Sequence, residues 1–337
     1  MVNKALLSFF YFSREGIMRK LLFSRVLLFP LNLIFAARKN TVGGQAIIEG
    51  VMMRGKNMVS WAVRKSPSEV MVEQMPFTSV CKKHKILSLP VIRGAINLFE
   101  SLSLGYKALS RSAEIVEQYE QNDKAGKKKN PAMEKFYSFI SFAAAMLISV
   151  GIFMYGPMWI ISQFIPRESA FVFNSLAGVL RIVLFIGYLI LISMWKEMRR
   201  VFEYHGAEHK AIFTFEDGKE LNYENMHPYT TVHPRCGTSF ILLVGIVCIF
   251  LFSIVDALYI SIFGPFPNVL ARLLVHLSLV PLVGGTSYEV LKLSDKYKEV
   301  PLVGLLIKPG LWLQKITTKN PDEHQLEVAS LALKAVI

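Results

Sequence analysis

The sequence has few cysteines and few acidic residues, and both shortages narrow what this protein can be. Its three cysteines, Cys81, Cys236 and Cys248, are too few and too widely spaced for a disulfide framework, which fits a reducing compartment. The 25 acidic residues are outnumbered by 38 basic ones, so the 337-residue chain carries a formal charge of +13. Basic residues interleaved with aromatic ones on polar segments, the pattern typical of nucleic-acid binding, are missing as well. We therefore expect no nucleic-acid partner.

Apolar residues, in contrast, make up 53% of the chain, and the mean hydropathy is +0.39. High hydropathy combined with a basic charge favours a multipass membrane protein, because basic residues collect on the cytoplasmic side of such proteins. A helix needs about 20 predominantly apolar residues to cross a bilayer. The sequence predicts four such spans in two hairpins, at residues 136–165, 171–195, 240–263 and 269–286. Gly156-Pro157 is expected to kink or end the first span.

The basic residues that flank these spans predict an orientation. Lys and Arg are frequent before the first span, between the second and third, and after the fourth, whereas the two short connections contain only Arg167. By the positive-inside rule, both termini and the 196–239 loop are cytoplasmic, in the inner membrane. The lipid bilayer is therefore one predicted partner, a membrane protein is a possible second, and the sequence does not indicate an oligomeric state.

A few charged residues lie within the predicted spans, chiefly Arg181, Asp256 and Arg272, with His276 nearby. Such residues are costly in a bilayer and usually pair or face a bundle interior. We expect an Arg–Asp pair that links the two hairpins, or side chains that snorkel to the outer interface. A transporter could use such groups as a relay, but four spans without Gly/Pro-broken inverted repeats match that class poorly.

The segments outside the spans predict a small cytoplasmic part, so the expected fold class is an α+β membrane protein. Residues 1–39 imitate a signal peptide but lack a small-x-small cleavage site, and we interpret them as an interfacial segment. Residues 40–130 predict an antiparallel β-meander, an amphipathic helix over 87–113 and a polar hinge. The transmembrane hairpins occupy 131–195 and 240–290. Residues 291–337 predict an interfacial turn at Pro309 and then a helix capped by Asn320.

The pattern with the most chemical content is His205-Gly206-Ala207-Glu208-His209. It reads H-x-x-E-H, the inverted form of a metalloprotease helix signature. Residues four apart lie on one helix face with Cβ atoms about 5–6 Å apart, so the two imidazoles can converge on one Zn²⁺ ion. Glu208 would then hold or deprotonate a water at the metal. The alternative is a surface helix with two solvated histidines.

Further metal-competent residues follow from the predicted topology, because His233, Cys236 and Glu289 lie close to the cytoplasmic ends of spans. If His205, His209, His233 and Cys236 all bind, the site is closed and structural. If two histidines and Glu289 bind, a position stays open for water, Glu208 is the catalytic base and the reaction is hydrolysis. His233 and Arg235 would then be free to bind a phosphate or stabilise a developing oxyanion. The sequence leaves both possibilities open.

Several blocks of the sequence resemble the YqhQ family of bacterial multipass membrane proteins. The resemblance lies in residues 43–55, which begin Gly43-Gly44-Gln45, in Tyr204 to Lys210, in His233 to Phe240 and in Ser287-Tyr288-Glu289. It extends to Leu311–Thr318 and to the helix that includes Gln325. Members of this family are described as predicted metal-dependent enzymes of unknown function. The resemblance therefore implies a metal site at His205, Glu208, His209, His233 and Cys236, but it implies no substrate.

A function follows from these predictions, together with an alternative. The first is a metal-dependent hydrolase that acts on a lipid headgroup or a membrane-emerging peptide at the inner membrane. The second is a zinc-stapled scaffold that serves as an accessory factor of a membrane complex such as the protein-export or insertion machinery.

Overall fold

The computed structural model describes residues 42–82, 86–122, 131–166, 168–234, 236–296 and 300–337. The predicted interfacial segment at residues 1–39 lies outside the described residues, as do Arg167, Arg235 and the 123–130 part of the predicted hinge.

The predicted antiparallel meander is present as one four-stranded sheet in the order β1-β2-β3-β4. Its strands are β1 (Gly43–Ile47), β2 (Gly50–Arg54), β3 (Met58–Ser66) and β4 (Glu69–Pro76). Valine, methionine and tryptophan dominate β2 and β3, and these two central strands are buried along most of their length. A sheet that is apolar on both faces needs a cover on each side.

Helices provide those two covers. On one face, α5 (Lys196–Glu216) and α11 (Glu323–Lys334) pack against the sheet. On the other face lies the long helix α1 (Ile92–Asn122). The first core contains Val51, Met53 and Ala62 of the sheet together with Tyr204, Ala207, Ala211, Leu326, Ala329 and Leu333. The second contains Ile47, Trp61 and Val63 together with Leu104, Ala108 and Ile115. The sheet is therefore the middle of three layers.

The remaining helices are mostly apolar. They are α2 (Pro131–Val150), α3 (Gly156–Ser162), α4 (Ala170–Ser193), α6 (Tyr223–Met226), α7 (Gly237–Phe263), α8 (Val269–Ser278), α9 (Val280–Lys296) and α10 (Pro301–Thr317). Three helical stretches of the described chain are long and apolar enough to cross a membrane, namely Phe139–Ser162, Ala170–Ser193 and Phe240–Phe263. A fourth is present if α8 and α9, which bend by 51° at their junction, form one span.

Several helix boundaries differ from the sequence predictions. Gly156-Pro157 does not end the first span, because a π-helical turn at Gly151–Tyr155 leads directly into α3. Pro309 lies inside α10 rather than in a turn. The last helix is capped by Asp322, which forms a reciprocal capping box with Gln325, so it begins after Asp322 and not at Asn320. The side-chain–backbone bonds of the capping box decide this boundary.

Candidate functional site

The H-x-x-E-H sequence lies on α5, the helix that connects the sheet layer to the apolar helices. The described structure places His205 and His209 on the same helix face, with ring centroids 4.5 Å apart. This face points toward residues 230–234 and Cys236, so the two histidines are not solvated surface residues. His209 is 1% exposed, and the alternative of a simple surface helix does not describe this pair.

Cys236 completes a group of three potential metal ligands. The ligand atoms of His205, His209 and Cys236 all lie within 4.8 Å of one another. His205 Nε2 is 3.1 Å from Cys236 Sγ. Cys236 is also the N-cap of α7, and its sulfur accepts from the Thr238 backbone N–H at 3.5 Å. The geometry therefore suits a sulfur ligand at this position.

Backbone carbonyls fix the orientation of both imidazoles. His205 Nδ1 lies 2.8 Å from the Thr317 carbonyl oxygen, and His209 Nδ1 lies 2.5 Å from the Thr231 carbonyl oxygen. A carbonyl can only accept a hydrogen bond, so each Nδ1 must be the donor. In the neutral imidazole, the lone pair is then on Nε2, which faces the other ligands. Histidines that bind metals usually donate their other ring N–H to a carbonyl or carboxylate in the same way.

Glu208 is buried between the two histidines. Its Oε2 is 3.9 Å from His205 Nε2 and 3.6 Å from His209 Nε2. Burial raises the pKa of the Glu208 carboxyl to about 7, while the electrostatic interaction with His205 and a hydrogen bond from the Gly44 backbone N–H oppose the rise. A Cβ on Gly44 would lie 2.7 Å from Glu208 Cγ and 2.8 Å from Met53 Sδ. Strand β1 therefore approaches Glu208 closely because residue 44 has no side chain.

Gly206 allows a second close approach on the other side of the same helical turn. A Cβ at this position would lie 2.0 Å from the Lys319 carbonyl oxygen. The Lys319 N–H donates to the Phe202 carbonyl at 2.9 Å, and this contact holds residues 317–319 against α5. The same segment provides the Thr317 carbonyl, which accepts the hydrogen bond from His205 Nδ1–H. The glycine in the motif thus lets this segment come close enough to orient His205.

The structure does not bring every predicted ligand to this group. His233 lies beside it, with its ring centroid 5.5 Å from that of His209, but its Nε2 is 3.7 Å from Glu216 Oε2. Glu289 is engaged elsewhere: Arg93 donates to its two oxygens at 2.7 and 2.5 Å. The predicted substrate-binding residue Arg235 lies outside the described residues.

The charged residues within the apolar helices form a separate buried cluster. Arg272 donates to Asp256 at 2.7 Å, His276 Nε2 lies 2.9 Å from Asp256, and the Asn174 amide donates to it at 2.7 Å. Because Asp256 and Arg272 lie on α7 and α8, their ion pair stays within the second hairpin. The expected Arg–Asp link between the hairpins is therefore wrong, and Asn174 on α4 makes that connection. Among the described contacts, Arg181 lies over the Phe252 ring at 5.8 Å instead.

Sequence patterns did not identify some residues that support the site. Thr231 and Thr317 act through backbone carbonyls, which carry no side-chain signal. Gln314 is fully buried and holds His233 in place, since its side chain accepts from the His233 N–H at 2.7 Å and donates to the His233 carbonyl at 2.9 Å. Glu216 could have been found from its position, as it lies seven residues after His209 on α5.

Comparisons with known proteins agree on one family. Residues 89–337 match the model of the family "Protein of unknown function (DUF1385)". The chain is also similar to "Uncharacterized protein YqhQ" of Bacillus subtilis (strain 168), with 32% identity over 292 residues that cover 85% of this chain and 89% of the relative. No solved structure matches the chain significantly. On the strength of the family model and this relative, the chain belongs to the DUF1385 family, together with YqhQ of B. subtilis.

Proposed function

We propose that this protein is a membrane-embedded, metal-dependent hydrolase that binds Zn²⁺ through His205, His209 and Cys236. The observation that carries this proposal is the convergence of the three ligand atoms to within 4.8 Å. Ligand atoms of a tetrahedral zinc site lie roughly 3–4 Å apart. Small side-chain movements are therefore enough to reach a coordinating arrangement.

The donor set and its surroundings fit zinc in particular. Imidazole nitrogen and thiolate sulfur are the ligands that zinc prefers, whereas Mg²⁺ and Ca²⁺ prefer oxygen. Hydrogen bonds from both Nδ1 atoms to the Thr317 and Thr231 carbonyls leave the Nε2 lone pairs available. Three protein ligands leave one coordination position open, as in catalytic zinc sites.

Glu208 is the residue that we assign as general base. When bound, the zinc ion supplies a Lewis acid that polarises a carbonyl or phosphoryl oxygen. Glu208 takes a proton from the attacking water, a role for which its position between the two imidazoles suits it. The Gly44 N–H orients the carboxylate, and Glu208 is 4% exposed. Arg235, next to the Cys236 ligand in the sequence, would bind an anionic group of the substrate.

The topology that we propose puts this site at the cytoplasmic surface of the inner membrane. It has four spans in two hairpins, with α8 and α9 together as the fourth, and both termini are cytoplasmic. Lys196, Arg199 and Arg200, directly after the second span, support this orientation through the positive-inside rule. The substrate would then be a group presented at that surface, such as a lipid headgroup or a membrane-emerging peptide.

One observation favours a second candidate function. The Glu208 carboxylate lies within 4 Å of both Nε2 atoms, so it could itself be the fourth ligand. A site with four protein ligands is closed and structural. The protein would then be a zinc-stapled scaffold or an accessory factor of another membrane complex, for example the protein-export or insertion machinery.

The experiment that tests metal binding is elemental analysis of the purified protein in detergent. We expect about one zinc per chain in the wild type and a large loss in His209→Ala and Cys236→Ser. His324→Ala is the matched control, because that side chain is exposed and far from the motif in sequence. Wild-type protein that contains no zinc after growth in zinc-supplemented medium, and binds none on titration, would refute the site.

The two candidate functions differ in the role of Glu208. X-ray absorption spectra should show two imidazoles, one sulfur and one exchangeable oxygen if the protein is a hydrolase. Glu208→Gln should then retain zinc but lose hydrolysis of ester, phosphoester or peptide substrates presented in vesicles. Loss of zinc in the same variant, with four protein ligands in the spectra, would favour the scaffold instead.

A further inference from the structure

Helix α1 has an exposed apolar surface that no described part of the chain covers. We call it the α1 stripe, and its residues are Ile92, Phe99, Leu102, Tyr106 and Leu109. All five are exposed large apolar side chains, with Phe99 74% and Leu102 63% accessible. At 100° per residue they fall within a sector about 100° wide, which is the width of the buried face of an amphipathic helix. An exposed apolar surface of this kind usually marks a site that contacts another protein or a membrane.

The other faces of α1 are already used, so the stripe is not simply a loosely packed core. Leu104, Ala108 and Ile115 are buried against the sheet. Gly94 and Leu98 pack against α9: a Cβ on Gly94 would lie 2.6 Å from the Gly285 carbonyl oxygen. Neither of these contact surfaces includes the stripe.

The neighbours of the stripe identify what covers it. On one side, α1 packs closely on α9, which belongs to the bent candidate span. Glycine-to-glycine contacts of the kind made by Gly94 and Gly285 are typical of helix pairs in membranes. On the other side, the Tyr106 ring packs edge-to-face on Phe142 of the first candidate span, with centroids 5.7 Å apart. Phe142 is itself exposed, so the stripe continues an apolar surface that spans present to lipid.

The distribution of charge along the part of α1 that carries the stripe also distinguishes the two sides of the helix. None of the five stripe residues is charged, whereas Glu100 and Arg111 lie on the opposite side. There Glu100 accepts from the Val80 N–H at 2.6 Å, and Arg111 pairs with Glu73 of β4 at 2.8 Å. The part of α1 that carries the stripe, residues 92–111, separates its apolar and charged sides in this way and is suited to lie within the bilayer interface, whereas the exposed Glu117, further along the helix, lies on the same side as Phe99.

We propose that α1 is a membrane-embedded helix in addition to the four spans, and that its stripe contacts the acyl chains of the inner leaflet. Its composition is too polar for it to qualify as a span by itself, and the sequence therefore assigns it to the cytoplasmic part. One helix then binds the sheet with one face, a span with another and lipid with the third. This inference rests on the proposed spans and is independent of the metal site.

Site-specific photocrosslinking in lipid vesicles tests this inference. A benzophenone amino acid is introduced at residue 99 or 102 of the full-length protein, and irradiation is followed by mass spectrometry for phospholipid adducts. Leu147, an exposed residue of the first candidate span, is the positive control. Gln118, which is exposed on α1 outside the stripe, is the matched negative control. We expect lipid adducts at 99 and 102 at the level of residue 147 and several-fold above residue 118.

A second measurement does not depend on crosslinking yield. Leu102→Trp fluorescence, taken as the difference from the parent protein, should be quenched severalfold more by brominated phospholipids than that of Gln118→Trp. Adducts at residue 147 but none at 99 or 102 would overturn the inference for α1 alone. Adducts to a second protein chain at 99 and 102 would also overturn it, and an absence of lipid adducts at all three positions would overturn the spans as well.

Discussion

Replacement of Gly206 by alanine is the sharpest test of how residues 317–319 are held against α5 and orient His205. The new Cβ would lie 2.0 Å from the Lys319 carbonyl oxygen and 3.1 Å from Thr231 Cγ2. A carbon and an oxygen in contact are normally more than about 3 Å apart, so residues 317–319 must retreat by about 1 Å. That movement weakens the Lys319 N–H bond to Phe202 and the His205 bond to the Thr317 carbonyl.

The expected change in the free energy of unfolding combines one stabilising contribution with two destabilising ones. Alanine stabilises the middle of a helix by about 1 kcal/mol relative to glycine. Overpacking costs about 1–3 kcal/mol, and each weakened hydrogen bond costs about 0.5–1.5 kcal/mol. The net expectation is a loss of about 2 kcal/mol in the free energy of unfolding. A misoriented His205 should also reduce zinc affinity by about 10–100-fold.

Thermal unfolding in detergent, with and without a chelator, measures the first effect, and competition with a zinc-binding dye measures the second. The melting temperature of Gly206→Ala should fall by about 5 °C. Gly187→Ala is the matched control, since Gly187 lies in α4 and a Cβ added there would have no heavy atom within 4 Å; this variant should be neutral or slightly stabilised. If Gly206→Ala melts like the wild type and binds zinc equally well, residues 317–319 do not orient His205 as proposed.

Three other experiments test separate parts of the structure. Asp256→Asn should destabilise the protein by about 3–5 kcal/mol in a detergent melt, because it leaves the buried Arg272 without its counter-charge; wild-type stability would show that the pair is not formed. In chelator, the stability of the wild type should fall as the pH rises from 4.5 past 7, because burial raises the Glu208 pKa to about 7 and the folded state holds the proton that the unfolded state releases. Glu208→Gln should remove this pH dependence, which amounts to at most about 3 kcal/mol in the free energy of unfolding. An unchanged pH dependence in the variant would contradict the assignment to Glu208. Arg93→Glu should destabilise by at least about 1 kcal/mol, and the added change Glu289→Arg should recover most of that loss only if the two side chains pair.

The sequence was most informative where chemistry depends on spacing within one element. The i, i+4 histidines and the intervening Glu208 follow from helix geometry alone, and the structure places all three on one turn of α5. The meander could be predicted for the same reason, because its strands are short, β-prone and separated by turn residues. Cys236 was identified because it precedes an apolar span, which put it near the motif.

Side chains that pair over long distances in the sequence could not be predicted from spacing. Glu289 pairs with Arg93, 196 residues away in the chain, and nothing in the local sequence of either residue indicates the other. Asp256 pairs within its own hairpin rather than across hairpins, since the choice depends on how the α7 and α8 faces are rotated. The start of the last helix was displaced for a different reason: Asn320 and Asp322 are both good caps, and only the reciprocal bonds with Gln325 favour the second.

Backbone groups orient the polar side chains of the candidate site. Three segments of main chain enclose one turn of α5, and each contributes a single polar group. The carbonyls of Thr231 and Thr317 accept hydrogen bonds from the two Nδ1–H groups, so both rings are held with Nε2 facing inward. The Gly44 N–H donates to Glu208 and offsets part of the cost of burying its charge. This arrangement explains why glycines at 44 and 206 are needed, because each lets a backbone segment come close enough to make its hydrogen bond.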